Sequence, residues 1–220
     1  MVICFDLDDT LYPEIEYVKS GFKVVSEFLA TYSSKNEAGY LCNRLISILK
    51  EEGRGEVFNI LLKEEGLYSK YLVNKCLRVY RSHVPRINLS NSAITVLKSL
   101  GEKYGNMYLV TDGNLTVQRN KISSLQLDNY FFKCMPTHQY GIKHSKPSLH
   151  CFDLIKSWEG VDYSNLVYIG DNPHKDFVAL KTVGAMTIRI NTGMFINVRV
   201  DEAHEARYQV DSLEELLKIL

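Results

Sequence analysis

The chain has 220 residues, enough for one large domain or one domain with a sizeable insert, and it can close a core without a disulfide or metal staple. Lysine plus arginine number 26 and aspartate plus glutamate 26; this zero formal net charge argues against a dedicated nucleic-acid binder. A hydrophobic content of 45%, with 14 Tyr and 9 Phe, excludes a disordered chain.

Val2-Ile3-Cys4-Phe5 is a short apolar run that ends abruptly in Asp6, Asp8, Asp9 and Thr10, with Leu7 interposed. A continuous run of this length predicts a strand buried on both faces, as in a parallel sheet. From about Ile15 to His83 the pattern changes. Ile15, Val18, Phe22, Val25 and Leu29 recur at helical spacing, as do Leu41, Leu45 and Leu49, then Val57 and Leu61, then Leu72, Cys76 and Tyr80. Glycines punctuate these stretches, and no strand signal interrupts them. A helical insert after the first strand is expected.

Apolar runs return at Met107 to Val110, Leu166 to Ile169 and Met186 to Ile190, separated by helical patterns around Ile94 to Leu100, Val117 to Leu125 and Phe152 to Ile155. This alternation predicts an α/β fold: a Rossmann-like parallel sheet core of residues 1–13 and 86–220, with residues 14–85 as an inserted α-helical domain. Ser212-Leu213-Glu214-Glu215 has the form of a capping box opening a last helix through Leu220.

Open parallel sheets present ligand-binding groups at the carboxyl ends of their strands. Here those ends carry Asp6, Asp8 and Asp9, then Thr111, Asp112 and Gly113, then Asp171 and Asp176. A loop between the second and third of these sets adds Lys143 and Lys146. Any one of these residues could be a helix cap or a turn former. Together they describe crowded carboxylates that repel unless a divalent cation neutralises them. Oxygen donors without Cys or His point to Mg²⁺, and a neighbouring Lys and Thr suit a phosphoryl group.

Five cysteines are spread along the chain without a C-x-x-C pair, which fits neither a disulfide framework nor a zinc cluster. The N-terminal residues lack a signal-peptide pattern, and no span of ~18 apolar residues occurs. A cytoplasmic protein with no membrane partner is expected. The six histidines show no paired metal-ligand spacing and read as loop or surface residues. No heptad seam sets an oligomeric state.

Asp6-Leu7-Asp8-Asp9-Thr10, Thr111 in Val110-Thr111-Asp112-Gly113, Lys146 in Ser145-Lys146-Pro147, and Gly170-Asp171 through Asp176 follow one another in order across nearly the whole chain. In this respect the sequence resembles the haloacid dehalogenase-like hydrolase superfamily, subfamily I with a helical type 1 cap. The resemblance implies a Mg²⁺-dependent phosphatase acting on a small phosphorylated metabolite, a nucleotide or sugar phosphate, through an aspartyl-phosphate. It implies Asp6 as nucleophile, Asp8 as general acid and base, and Thr111 and Lys146 as phosphoryl-binding groups. Asp6, Asp171 and the carbonyl of Asp8 would ligate the metal, with Asp176 orienting the site. Asp9 stands where many members have Gly, and Asp112 where Asn is frequent; Asp112 is expected to point away or to bond backbone groups. Arg54, flanked by Gly53 and Gly55 between two cap helices, is a candidate for the substrate's leaving group, and Asp112 and Gly113 are further substrate candidates. A phosphomutase, a dehalogenase and a non-catalytic ligand-binding relative remain alternatives.

Overall fold

The computed structural model describes residues 1–33 and 36–220. Two compact units partition the chain, one formed by residues 1–14 and 88–220, the other by residues 15–87.

The first unit is built on a six-stranded, all-parallel sheet of β1 (Val2–Phe5), β2 (Met107–Thr111), β3 (Lys133–Pro136), β4 (Leu166–Gly170), β5 (Met186–Ile190) and β6 (Tyr208–Val210). The strand order is β3-β2-β1-β4-β5-β6, which puts β1 between β2 and β4. Ile3 pairs with Met107 on one side and Val167 on the other. Alternation along the strands sends Val2, Cys4, Tyr108, Val110 and Tyr168 into one core, where Phe152 and Ile155 of α7 (His150–Glu159) meet them. β1 also contacts α5 (Asn91–Tyr104), which buries Ala93, Val96, Leu97 and Leu100. No helix among the described residues is long and apolar enough to cross a membrane.

The second unit holds most of α1 (Glu14–Ala30) together with α2 (Ala38–Glu52), α3 (Val57–Glu64) and α4 (Lys70–Ser82). Its core is aromatic: Phe22, Phe58 and Tyr80 pack with centroids 5.8 to 6.0 Å apart. Arg44 ties α2 to α3 through both carboxylate oxygens of Glu64, at 2.6 and 2.8 Å. His83 departs from the surface placement expected of the histidines. It is 6% exposed, and its Nδ1 lies 2.6 Å from the Tyr80 carbonyl.

Three further features differ from the sequence reading. β3 and β6 carry no apolar run, because both are short and the exposed Lys133, Tyr208 and Gln209 break the pattern. The chain also ends differently. Ser212 makes no capping bond, and residues 213–215 form a 3₁₀ turn before a four-residue helix, Leu216–Ile219. Glu215 reaches back one residue further than a capping box requires, accepting from the Asp211 N–H at 3.1 Å.

The loop after β5 is fastened from beneath. Arg189, fully buried, donates to the carbonyls of Phe195 and Val198 and pairs with Glu205 at 2.8 Å. The same loop closes on Asp9, which has φ +53 and accepts from the Glu14 N–H at 2.8 Å and the Met194 N–H at 3.4 Å. Asp tolerates this left-handed conformation better than most non-glycine residues. Gly193 has φ +63, and a Cβ there would sit 2.3 Å from the Cβ of Asp9. Gly193→Ala should therefore cost about 1–3 kcal/mol. Thermal denaturation should show a Tm lower by roughly 2–4 °C per kcal/mol, and an unchanged Tm would contradict the close approach.

Candidate active site

Each strand that flanks the centre of the sheet stops where a polar group begins. β1 delivers Asp6, whose N–H is held by the Ile169 carbonyl of β4 at 2.8 Å. β2 ends in Thr111, and β4 runs into Asp171. Carboxylate oxygens of Asp6, Asp171 and Asp176 lie within 4.8 Å of one another, and all three residues are buried. Lys146 enters this group from the loop after β3. Its Nζ is 2.9 Å from Asp6 Oδ1 and 2.8 Å from Asp176 Oδ1. Besides these two ion pairs it donates a hydrogen bond, 2.7 Å, to the hydroxyl of the fully buried Tyr168, which in turn donates to the Val110 carbonyl. Lys143, by contrast, is exposed in a 3₁₀ turn.

The charges explain the protonation tendencies. Burial, then the neighbouring carboxylates of Asp6 and Asp176, push Asp171 up to about 9. Burial and Asp6 also raise Asp176, against the opposing pull of Lys146. Burial would lower the Lys146 ammonium, but Asp176, Asp6 and Asp112 hold it above its ordinary range. Three carboxylates share one ammonium, and the upward pull on Asp171 and Asp176 reflects the excess of negative charge that Lys146 leaves uncompensated. An all-oxygen donor set with that excess fits a hard divalent cation.

Asp112 faces a different set of partners. It accepts from Thr137 Oγ1 at 2.7 Å, from the Lys146 N–H at 3.1 Å and from Lys175 Nζ at 3.1 Å. Burial opposes its ionisation, but Lys146, Lys175 and these bonds hold its pKa below the ordinary value. Asp112 thus ties the backbone of the Lys146 loop to the end of β2. Gly113 follows at φ +138, and a Cβ there would press on the Gln118 side chain at 3.2 Å. Arg54 lies in the helical unit, exposed between α2 and α3.

Asp8 is half-buried and enclosed by donors the sequence reading did not identify. Tyr12 OH reaches its Oδ1 at 2.6 Å, and Lys121 Nζ lies 2.7 and 2.8 Å from its two oxygens. Gln118 Nε2 donates to Oδ2 at 3.0 Å and to Thr111 Oγ1 at 2.6 Å. Both Gln118 and Lys121 belong to α6 (Leu115–Ser124), whose buried face is Gln118, Lys121 and Ile122. The signal was faint: two polar residues one turn apart in a helix ordinarily mark its solvent side.

A family model described as haloacid dehalogenase-like hydrolase matches residues 3–190. The chain is 28% identical to a glyceraldehyde 3-phosphate phosphatase of Methanocaldococcus jannaschii, over 99% of this chain and 96% of that protein. It is 24% identical to the N-acylneuraminate-9-phosphatase of Rattus norvegicus, covering 99% and 92%. Among solved structures, the HAD-hydrolase YfnB of Bacillus subtilis, described as bound to magnesium, shares the fold with a TM-score of 0.66 and 20% identity, covering 99% and 97%.

Proposed function

The chain belongs to the haloacid dehalogenase-like hydrolase family, and from that premise we propose that it is a Mg²⁺-dependent phosphatase of small sugar phosphates working through an aspartyl-phosphate. The observation that carries this reading is the buried group of Asp6, Asp171 and Asp176 with Lys146 at the carboxyl end of the sheet. The phosphatases named among its relatives, one for a triose phosphate and one for a nine-carbon sugar acid phosphate, support the substrate class.

Asp6 attacks phosphorus, and the bond to the leaving oxygen breaks as Asp8 gives that oxygen its proton. Asp8, now a carboxylate, takes a proton from water, whose oxygen attacks the phosphorus of the aspartyl-phosphate. Inorganic phosphate leaves and Asp6 is restored. Thr111 and Lys146 hold the phosphoryl oxygens, and Lys146 offsets the charge of Asp6. Asp6, Asp171 and the Asp8 carbonyl would hold Mg²⁺, with Asp176 orienting the group. The bound cation supplies charge neutralisation between an anionic nucleophile and an anionic phosphate. Residues 15–87 serve as the cap, and Arg54 as its contact to the leaving group.

The test is steady-state phosphate release from a panel of triose, hexose, sugar-acid and nucleoside phosphates, ranked by kcat/KM. Chelator-treated protein should lose turnover, and added Mg²⁺ should restore it. Full turnover in excess chelator would refute the metal requirement. Transfer of phosphate between positions of one sugar, without release, would point to a mutase.

A further inference from the structure

We infer that Gln118 and Lys121 are positioning residues that act through Asp8, an inference that rests on the acid–base reading of Asp8 given above. The first ground is where the two side chains lie. Gln118 and Lys121 are 1% and 2% exposed, on a helix that could have packed apolar groups there. Burying a lysine sets desolvation and about 2 kcal/mol of side-chain entropy against folding, so the position needs a compensating partner. That partner is Asp8, which both side chains reach.

The second ground is hydrogen-bond bookkeeping. Lys121 spans both Asp8 oxygens, Gln118 holds Oδ2 and Tyr12 holds Oδ1. Donors on both oxygens fix the plane of the carboxylate as well as its position. The two amide protons of Gln118 are divided between Asp8 and Thr111, so one side chain sets the spacing between the acid and the phosphoryl-binding hydroxyl. Thr111 accepts in that contact, which leaves its own proton to give to a phosphoryl oxygen. Lys121 is anchored in turn by Glu14, 3.7 Å away. An acid must meet the leaving oxygen in a narrow range of geometry, and a displacement of about 1 Å can cost ~10²-fold.

Leaving groups separate this role from a structural one. An alkyl phosphate needs its leaving oxygen protonated, whereas 4-nitrophenyl phosphate leaves with little help. With enzyme in excess and Mg²⁺ present, Lys121→Met should slow first-turnover release from glycerol 3-phosphate by about 10–100-fold, part of the ~10²–10⁴ a general acid supplies. Release of nitrophenol should change less than about threefold. Gln118→Leu should show the same excess loss on glycerol 3-phosphate, on top of any loss through Thr111 that is common to both substrates, and it keeps the test decisive should Lys121→Met not fold. In an Asp8→Asn background, Lys121→Met should add almost nothing, because it acts through the missing group. Equal slowing of both substrates, full additivity with Asp8→Asn, or no slowing at all would overturn the inference while leaving the acid role of Asp8 intact. If Asp8→Asn itself shows no leaving-group split, the acid role falls, and the inference with it.

Discussion

Asp6→Asn should abolish turnover by on the order of 10³-fold or more while leaving the protein folded. The amide nearly matches the carboxylate in shape and can still accept from Lys146, which lies 2.9 Å from Oδ1. It cannot form the acyl-phosphate bond. Stability should hold or rise, because one of three carboxylates within 4.8 Å loses its charge and the repulsion on Asp171 and Asp176 falls. Steady-state phosphate release and thermal denaturation of the same preparation check both halves. An active Asp6→Asn protein would remove the covalent mechanism altogether.

Lys146→Met should be the most damaging substitution for stability. Its ammonium is paired with both Asp6 and Asp176, and it donates a hydrogen bond to the Tyr168 hydroxyl. Removing one partner from a buried ion pair costs about 3–5 kcal/mol, because the remaining charges stay desolvated. For a chain of this size that corresponds to a Tm lower by on the order of 10 °C. Activity should fall as well, through loss of the phosphoryl contact. Lys143→Met is the matched control: Lys143 is exposed, so its Tm should be indistinguishable from wild type. Similar melting curves for the two variants would contradict the ion-pair account.

The sequence was most informative where burial is symmetrical. β1, β2, β4 and β5 were legible as apolar runs because residues pointing to both faces of the sheet are buried there. β3 and β6 are the outer strands, partly wetted and only four and three residues long, so they read as loop. The polar groups at the ends of β1, β2 and β4 were equally visible, since carboxylates directly after an apolar strand have few other reasons to be there. Gln118, Lys121 and Tyr168 were not. Lys121 is a cation in an otherwise polar helix, and Tyr168 is one more large residue in a buried strand. Lys121 finds its partners in Asp8 and Glu14, and the Tyr168 hydroxyl in Lys146 and the Val110 carbonyl, which only the fold brings near. Partners that meet across distant segments leave no periodic trace in sequence.

The central place of β1 has a consequence for how the chain is made. Val2–Phe5 is synthesised about a hundred residues before its first partner, β2, and some 160 before its second, β4. At ~5–20 residues per second on the ribosome, this apolar segment waits roughly 5–20 s for β2 and longer for β4. Every pairing of the strand that leads into Asp6 is therefore long-range in sequence, which slows folding and exposes an adhesive segment meanwhile. The acidic run Asp6, Asp8 and Asp9 directly after it is a charged flank of the kind that restrains such segments from pairing with other nascent chains. The residues proposed to carry the chemistry would thus also guard the strand that bears them until the sheet closes around it.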